Sequence, residues 1–218
     1  MSKFSFNTIN NFEDHINKSI PHYSVLYDII LSISSYFIKQ NTYVYDIGCS
    51  TGKLIHNLST NNIKDVTYVG VDISENLLPS LKHDNLHFLN SDIRNENFYL
   101  NDSSLILSIF TLQFIEPKFR LNILKNIYNS LLPKGAFILC EKTYSNDGLL
   151  QDIFTFSHYD LKLEHFTSEE ILSKQKDLRN IMTPYTSIEN LNLLKESGFS
   201  KIDPFYQSLH FKGWICRK

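Results

Sequence analysis

The stretch TYVYDIGCSTG, residues 42–52, decides how the chain is read. Its first six residues are mostly β-branched or aromatic, which predicts a short strand. Gly48 ends that strand, and a helical pattern follows from about Lys53 through His56 to Leu58. The segment therefore reads as strand, tight turn, helix. Glycine has no Cβ, so Gly48 and Gly52 can take positive φ or let a ligand approach the backbone. Two of the chain's seven glycines share this one turn, which marks it as a candidate site.

Outward from the turn the same rhythm repeats. VTYVGVD (66–72) predicts a second strand, followed by SENLLPSLK, where Ser74 can cap a helix that Pro79 limits or kinks. LHFLNSD (86–92) and SLILSIF (104–110) predict two further buried strands, nearly continuous in apolar character, as suits a parallel sheet covered on both faces. Pro117 opens a helix with Leu121, Ile123, Leu124, Ile127 and Leu131 on its apolar face, and KGAFILCEK (134–142) predicts a fifth strand. Alternating strands and helices imply an α/β, Rossmann-like fold with a doubly wound, mostly parallel sheet and right-handed crossovers. From Thr143 to about Met182 the sequence is polar and helical and predicts a cap or lid. A last helix at 187–197 ends at Gly198, and FSKIDPFYQSL with HFKGWICRK predicts a C-terminal antiparallel hairpin at a sheet edge. The expected organisation is one domain, 1–218, with two N-terminal helices in 1–40 and a cap insertion at 143–182. The second N-terminal helix runs through Tyr23, Leu26, Ile29, Ile30 and Ile33.

The 218 residues suffice for one well-buried core, and 42% hydrophobic with 20% charged residues is ordinary for a globular protein. A formal net charge of -2 offers no general attraction to a polyanion, so direct contact with nucleic acid is not expected. MSKFSFNTINNFEDH lacks the apolar centre of a signal peptide, and no run of about 18 apolar residues could span a bilayer. A cytoplasmic protein without membrane attachment is the expectation. Cys49, Cys140 and Cys216 are far apart and form no CxxC or Cys/His pair, which predicts reduced thiols and no metal site.

Open α/β sheets bind ligands beyond the carboxyl ends of the strands, at the point where strand order reverses. Asp72 ends the second strand, 24 residues after Gly48, where its carboxylate could accept hydrogen bonds from two ribose hydroxyls. Asp92 and Ile93 end the third strand, placed to meet the amino group and the face of an adenine. Either aspartate alone could be a helix cap; together with the glycine turn they point to a nucleoside. The turn reads GxSxG rather than GxGxxG, which argues against a pyrophosphate and favours S-adenosylmethionine over NAD.

FTLQFIEPKFR (110–120), NIYNSLLPKGAFILCEK (126–142), SKQKDLRNIM (173–182) and SIPHYS (19–24) together resemble the carboxy-S-adenosylmethionine synthase family, from about Phe6 to the C-terminus. The resemblance implies the class I methyltransferase fold and a reaction in which prephenate loses carbon dioxide and the activated methyl of S-adenosylmethionine gains a carboxyl group. The ligand is then S-adenosylmethionine or its carboxylated derivative, the product serves modification of a tRNA wobble uridine, and the protein is a homodimer. It further implies that Tyr23 contacts the cofactor, that Gly48, Cys49 and Ser50 hold its methionine and ribose part, that Asp72 and Ile73 meet ribose and adenine, and that Asp92 and Ile93 meet adenine.

Two positions depart from the family pattern. Ile109 stands where the family has a cofactor-contacting asparagine, and Gln175 where it has an arginine in the cap helix. A neutral amide offers hydrogen bonds without the charge that makes a carboxylate contact strong. Arg179, four residues on and on the same helical face, could supply it. Gln175, Arg179 and Tyr23 are thus the candidates for the chemistry. Two other readings stay open: an ordinary methyltransferase acting on a neutral or cationic small molecule, and a non-catalytic S-adenosylmethionine binder. Glu141 and Lys142 could serve the substrate side or form an ion pair. His158 and Asp160 would not face each other on one helix and read as cap packing, and Gln113 reads as structural.

Overall fold

The computed structural model describes residues 11–61, 63–80 and 84–218. Seven strands join one sheet: β1 (Thr42–Ile47), β2 (Val66–Asp72), β3 (Leu86–Asn90), β4 (Ser103–Ile109), β5 (Leu131–Lys142), β6 (Lys201–Ser208) and β7 (Phe211–Arg217), in the order β3-β2-β1-β4-β5-β7-β6. The first five strands run parallel, while β7 lies antiparallel to both β5 and β6. Strand order reverses between β1 and β4, so the turn after β1 opens at the crevice this topology provides.

The pleat divides the core in two. Val44, Tyr68, Leu105, Leu107 and Ile138 point to the face covered by α1 (Phe12–Ser19), α2 (Tyr23–Ser35) and α3 (Lys53–Ser59). Tyr45, Ile47, Val71, Ile106 and Phe137 point to the face covered by α4 (Pro117–Ser130) and α7 (Ser187–Glu196). Burying each large apolar side chain contributes about 1.5–3 kcal/mol, and covering both faces is what a parallel sheet requires. The doubly wound fold with a terminal hairpin is thus as the sequence predicts.

Three expectations change. Leu131, expected on the apolar face of α4, opens β5 instead and pairs with Ser103, so that strand starts three residues before Lys134. β3 is an edge strand, and only Leu86 of its five residues is buried; the two-sided burial expected for LHFLNSD holds for β4 instead. The segment from Ser74 forms a single 3-10 turn, Glu75–Leu77, without a side-chain cap from Ser74. Leu78 is extended, as the residue before a proline prefers. The rest of that expected helix, residues 81–83, lies outside the described residues, as do the first ten.

The cap consists of α5 (Gly148–Leu163) and α6 (Ser168–Arg179), inserted between β5 and α7. Asp147 caps α5 by accepting from the Leu150 amide at 2.8 Å. Thr167 with Glu170 and Thr186 with Glu189 form capping boxes that start α6 and α7. The cap returns to the body through buried Arg120: its Nε donates to Ile115 O at 2.8 Å and its Nη2 to Thr183 O at 2.7 Å, with the guanidinium 4.4 Å over the Tyr185 ring. Gln113 completes this junction, its Oε1 accepting from the Lys142 amide at 2.8 Å and its carbonyl from the Thr183 amide at 2.8 Å. Its expected structural role is what the contacts describe.

Arg120→Met keeps the apolar stem but removes the donors to these carbonyls. It should lower stability by about 2 kcal/mol or more, read by urea unfolding; a loss under about 0.5 kcal/mol would contradict the junction role.

Candidate functional site

The turn after β1 is shaped by backbone geometry. Gly48 has φ +77°, and a Cβ there would lie 2.1 Å from Thr111 Oγ1, so no other residue fits without displacement. The Gly48 and Cys49 amides donate to Val71 O at 2.7 and 3.1 Å, folding the turn over the end of β2. Asp72 accepts from the Ser50 amide at 2.9 Å and the Ser74 amide at 2.8 Å, so one carboxylate ties both strand ends together. An ionised carboxylate offers about four acceptor positions, which leaves two for a ligand diol. Ser50 Oγ is buried without a protein partner. An orphaned hydroxyl beside a half-used carboxylate fits a polar nucleoside ligand. Beneath the turn, buried Asp46 is pushed up to about 7, by burial first and then by the charge of Asp72.

From this turn a cavity of about 370 Å³ runs along the carboxyl ends of the strands to the cap. Gly48, Ser50, Asp72, Ile73, Asp92, Ile93, Ile109 and Gln175 all line it. Ile73 and Ile93, with Leu77 and Ile115, offer apolar faces for an adenine. Asp92 is otherwise engaged than expected: the Arg94 side chain grips both its oxygens, Nε at 2.9 Å from Oδ1 and Nη2 at 2.7 Å from Oδ2. An adenine amino group would have to compete with that pair.

Three sequence candidates lie off the cavity lining. Tyr23 packs against the core at the start of α2, its ring 6.3 Å from that of Tyr27, and burial raises its phenol pKa. Cys49 is buried behind the turn, and burial raises its thiol as well. Arg179 is exposed at the end of α6, its guanidinium 6.0 Å from the Tyr144 ring centroid.

Apart from Lys142, which the sequence offered for the substrate side, the sequence reading missed the wall and roof of the cavity. α1 supplies Phe12, His15 and Ile16, and its Glu13 accepts from Thr51 Oγ1 at 2.6 Å, fastening that helix to the turn after β1. Under the cap, Lys142 at the end of β5, Lys162 in α5 and Lys174 in α6 line one chamber. Lys142 and Lys162 are only 9% and 8% exposed. Burial, then Lys162 and Arg179, push Lys142 down to about 8. Burial, then Lys162 and Lys142, push Lys174 down to about 7, and burial lowers Lys162. Lys174 Nζ meets His15 Nε2 in a close contact and donates to Ser19 Oγ at 3.3 Å. Glu141, on the opposite side of β5 from Lys142, faces away from this chamber: its Oε1 accepts from the Leu112 amide at 3.1 Å, and burial pushes it up to about 8. The adjacent pair thus splits into one structural and one cavity residue.

A histidine relay holds the roof. The Ser19 carbonyl can only accept, so His158 Nε2, 2.9 Å away, carries its proton. His158 Nδ1 then accepts from His210 Nε2 at 3.3 Å, leaving His210 Nδ1 as a buried acceptor without a partner. The relay joins α5 to the β6–β7 turn and to the α1–α2 connection. His158 is therefore buried packing, and Asp160 takes no part in it. Among the described residues no group of three His, Cys, Asp or Glu side chains is placed to hold a metal ion, and no helix is long and apolar enough to cross a membrane.

Residues 44–135 match a family model described as a methyltransferase domain. The chain is 34% identical over 216 residues to a carboxy-S-adenosyl-L-methionine synthase of Staphylococcus epidermidis, covering 97% of this chain and 94% of that protein. It is 32% identical over 227 residues to one from Desulfotalea psychrophila, covering 99% and 92%. Among solved structures, human N-acetylserotonin methyltransferase in complex with SAM matches with a TM-score of 0.60 at 16% identity, over 90% of this chain and 52% of that one, which is a likeness of fold.

Burial, opposed by the hydrogen bond to Ser19 and aided by the nearby lysines, pushes His158 down to about 4. An unfolded imidazole near pH 6.5 takes up a proton that the folded one refuses, so the contribution of His158 is complete above about pH 6.5 and is lost as the pH falls toward 4. The stability advantage of wild type over His158→Gln should shrink between about pH 7.5 and pH 5, measured by urea unfolding at each; an advantage that grows on acidification would contradict the neutral relay.

Proposed function

The chain belongs to the family of carboxy-S-adenosyl-L-methionine synthases and has the class I methyltransferase fold, and on that footing we propose that it moves a carboxyl group from prephenate to the sulfonium methyl of S-adenosylmethionine. At the coarser level it is an S-adenosylmethionine-dependent transferase. The observation that carries the finer reading is one continuous cavity with two unlike ends: acceptors and apolar faces for a nucleoside at Asp72, Ile73 and Ile93, and a covered, lysine-lined chamber at β5 and the cap. A reaction between a sulfonium nucleoside and a dianion needs both ends.

S-adenosylmethionine supplies a positive sulfur that acidifies its methyl protons. The carboxyl group leaves prephenate as carbon dioxide and ends on the methyl carbon in place of one proton, while the rest of prephenate departs as phenylpyruvate and its hydroxyl leaves with that proton as water. The chain's own part is to bind, orient and exclude water. In this reading Asp72 accepts the ribose hydroxyls, Ser50 supplies a donor or acceptor beside them, Ile73 and Ile93 hold the adenine faces, and α1 with the cap closes the chamber. The product would serve wobble-uridine modification of tRNA through a second enzyme, with this protein acting as a cytoplasmic homodimer.

A second reading rests on Ile109 and Gln175. Both line the cavity without charge, which suits methyl transfer to a neutral acceptor. One incubation separates the two. Purified protein with S-adenosylmethionine and prephenate should give the carboxylated sulfonium and phenylpyruvate in equal amounts by mass spectrometry. S-adenosylhomocysteine accumulating with cell extract, and no carboxylated product, would instead establish methyl transfer; cofactor binding without turnover in either assay would make it a binder. Asp72→Ala removes the ribose acceptor and the tie between the turns, and should weaken S-adenosylmethionine binding at least tenfold, about 1.4 kcal/mol.

A further inference from the structure

Lys142, Lys162 and Lys174 come from three separate elements, a strand end and two cap helices, yet face one chamber. Two of them are more than nine-tenths buried. Among the described residues no ion pair engages Lys142 or Lys162; each has an aromatic ring instead, Phe211 at 6.0 Å from Lys142 Nζ and Phe166 at 5.5 Å from Lys162 Nζ. The carboxylates lining the same cavity, Asp72 and Asp92, belong to the nucleoside end and are held there by backbone amides and by Arg94. The other titratable groups around the chamber, His15, His158 and His210, are neutral bases held by burial and by the lysines, and can only accept from an ammonium or stay apart from it. Burying the Lys142 and Lys162 ammoniums in one chamber, with no carboxylate among the described residues paired to either, is costly in the empty protein. The cost is recovered when an anion enters.

We infer that Lys142, Lys162 and Lys174 form a receptor for the two carboxylates of a small dicarboxylate, and that this cluster, rather than Gln175 or Arg179, supplies the positive charge of the substrate chamber. The inference rests on reading the opposite end as the S-adenosylmethionine site. A flexible ammonium acts as a point charge, so three of them can follow two carboxylates without the planar fit an arginine demands. The glutamine at 175 then needs only to offer hydrogen bonds to the anion that the lysines neutralise. Arg179, exposed at the helix end, lends a long-range field without contact.

The test uses full-length protein saturated with S-adenosylhomocysteine, which has no methyl to react, titrated calorimetrically with prephenate, malonate and phenylpyruvate. Both dicarboxylates should bind at least tenfold more tightly than the monocarboxylate. Lys162→Gln and Lys142→Gln should each weaken dicarboxylate binding at least tenfold, Lys162→Arg should restore most of it, and affinity for S-adenosylhomocysteine should stay within a factor of two. Thermal stability of the anion-free variants should equal or exceed wild type, because a buried charge without a carboxylate has been removed; a lysine with a merely structural role would show a loss. Dicarboxylate binding unchanged in both variants, or weakened equally by Arg179→Gln, would overturn the receptor, as would no binding of any probe. Lysine-dependent binding of malonate or prephenate without carboxylated product would keep the receptor and sink the carboxyl-transfer reading. Carboxylated product with prephenate KM unmoved in the lysine variants would do the reverse.

Discussion

Two amides, from Ser50 and Ser74, converge on the carboxylate of Asp72 at 2.9 and 2.8 Å. This charge-assisted pair joins the turns that leave β1, the central strand of the parallel half of the sheet, and its neighbour β2. Without it, the turn from Gly48 to Gly52 would be held chiefly by the Val71 carbonyl and by glycine geometry. With it, the floor of the cavity is fixed by the fold itself, and Asp72 lines that cavity. Glu13 extends the same logic to α1, whose attachment at Thr51 makes the N-terminal helix a wall of the site.

The parallel strands were legible because β1 and β2 are runs of mostly β-branched and aromatic residues closed by Gly48 and Asp72, and β4 is a largely apolar run. The exposed face of β3 was not legible, because being at an edge is a property of strand order and not of the five residues themselves. TSEE at 167–170 and TSIE at 186–189 are capping boxes that the spacing of Thr and Glu announces, and they start α6 and α7. The short turn after Ser74 shows the opposite case, a capping residue overruled by the proline five positions on.

In the site, the glycines and Asp72 could be read because a turn and a carboxylate have few alternative uses at the ends of adjacent strands. Asp92 could be located but not its partner, since Arg94 reaches it through a loop conformation that spacing does not encode. Lys142 was offered for the substrate side, but its meeting with Lys162 and Lys174 was the largest omission. In a sequence a lysine is by default a solvated surface charge, and Lys142, Lys162 and Lys174 share no motif spacing. Only the closing of α5 and α6 over β5 reveals that they meet. Reading the charge of the chamber from Gln175 and Arg179 on one helix left out the lysines that β5 and α5 bring to it.

In the proposed reading one end of the cavity takes a nucleoside and the other a carboxylate. A crystal structure with carboxy-S-adenosylmethionine bound tests it most directly. The ribose hydroxyls should lie on Asp72, the adenine between Ile73 and Ile93, and the added carboxylate within about 3 Å of at least one ammonium among Lys142, Lys162 and Lys174. A carboxylate held by Arg179 or left in solvent, with those lysines turned away, would contradict it.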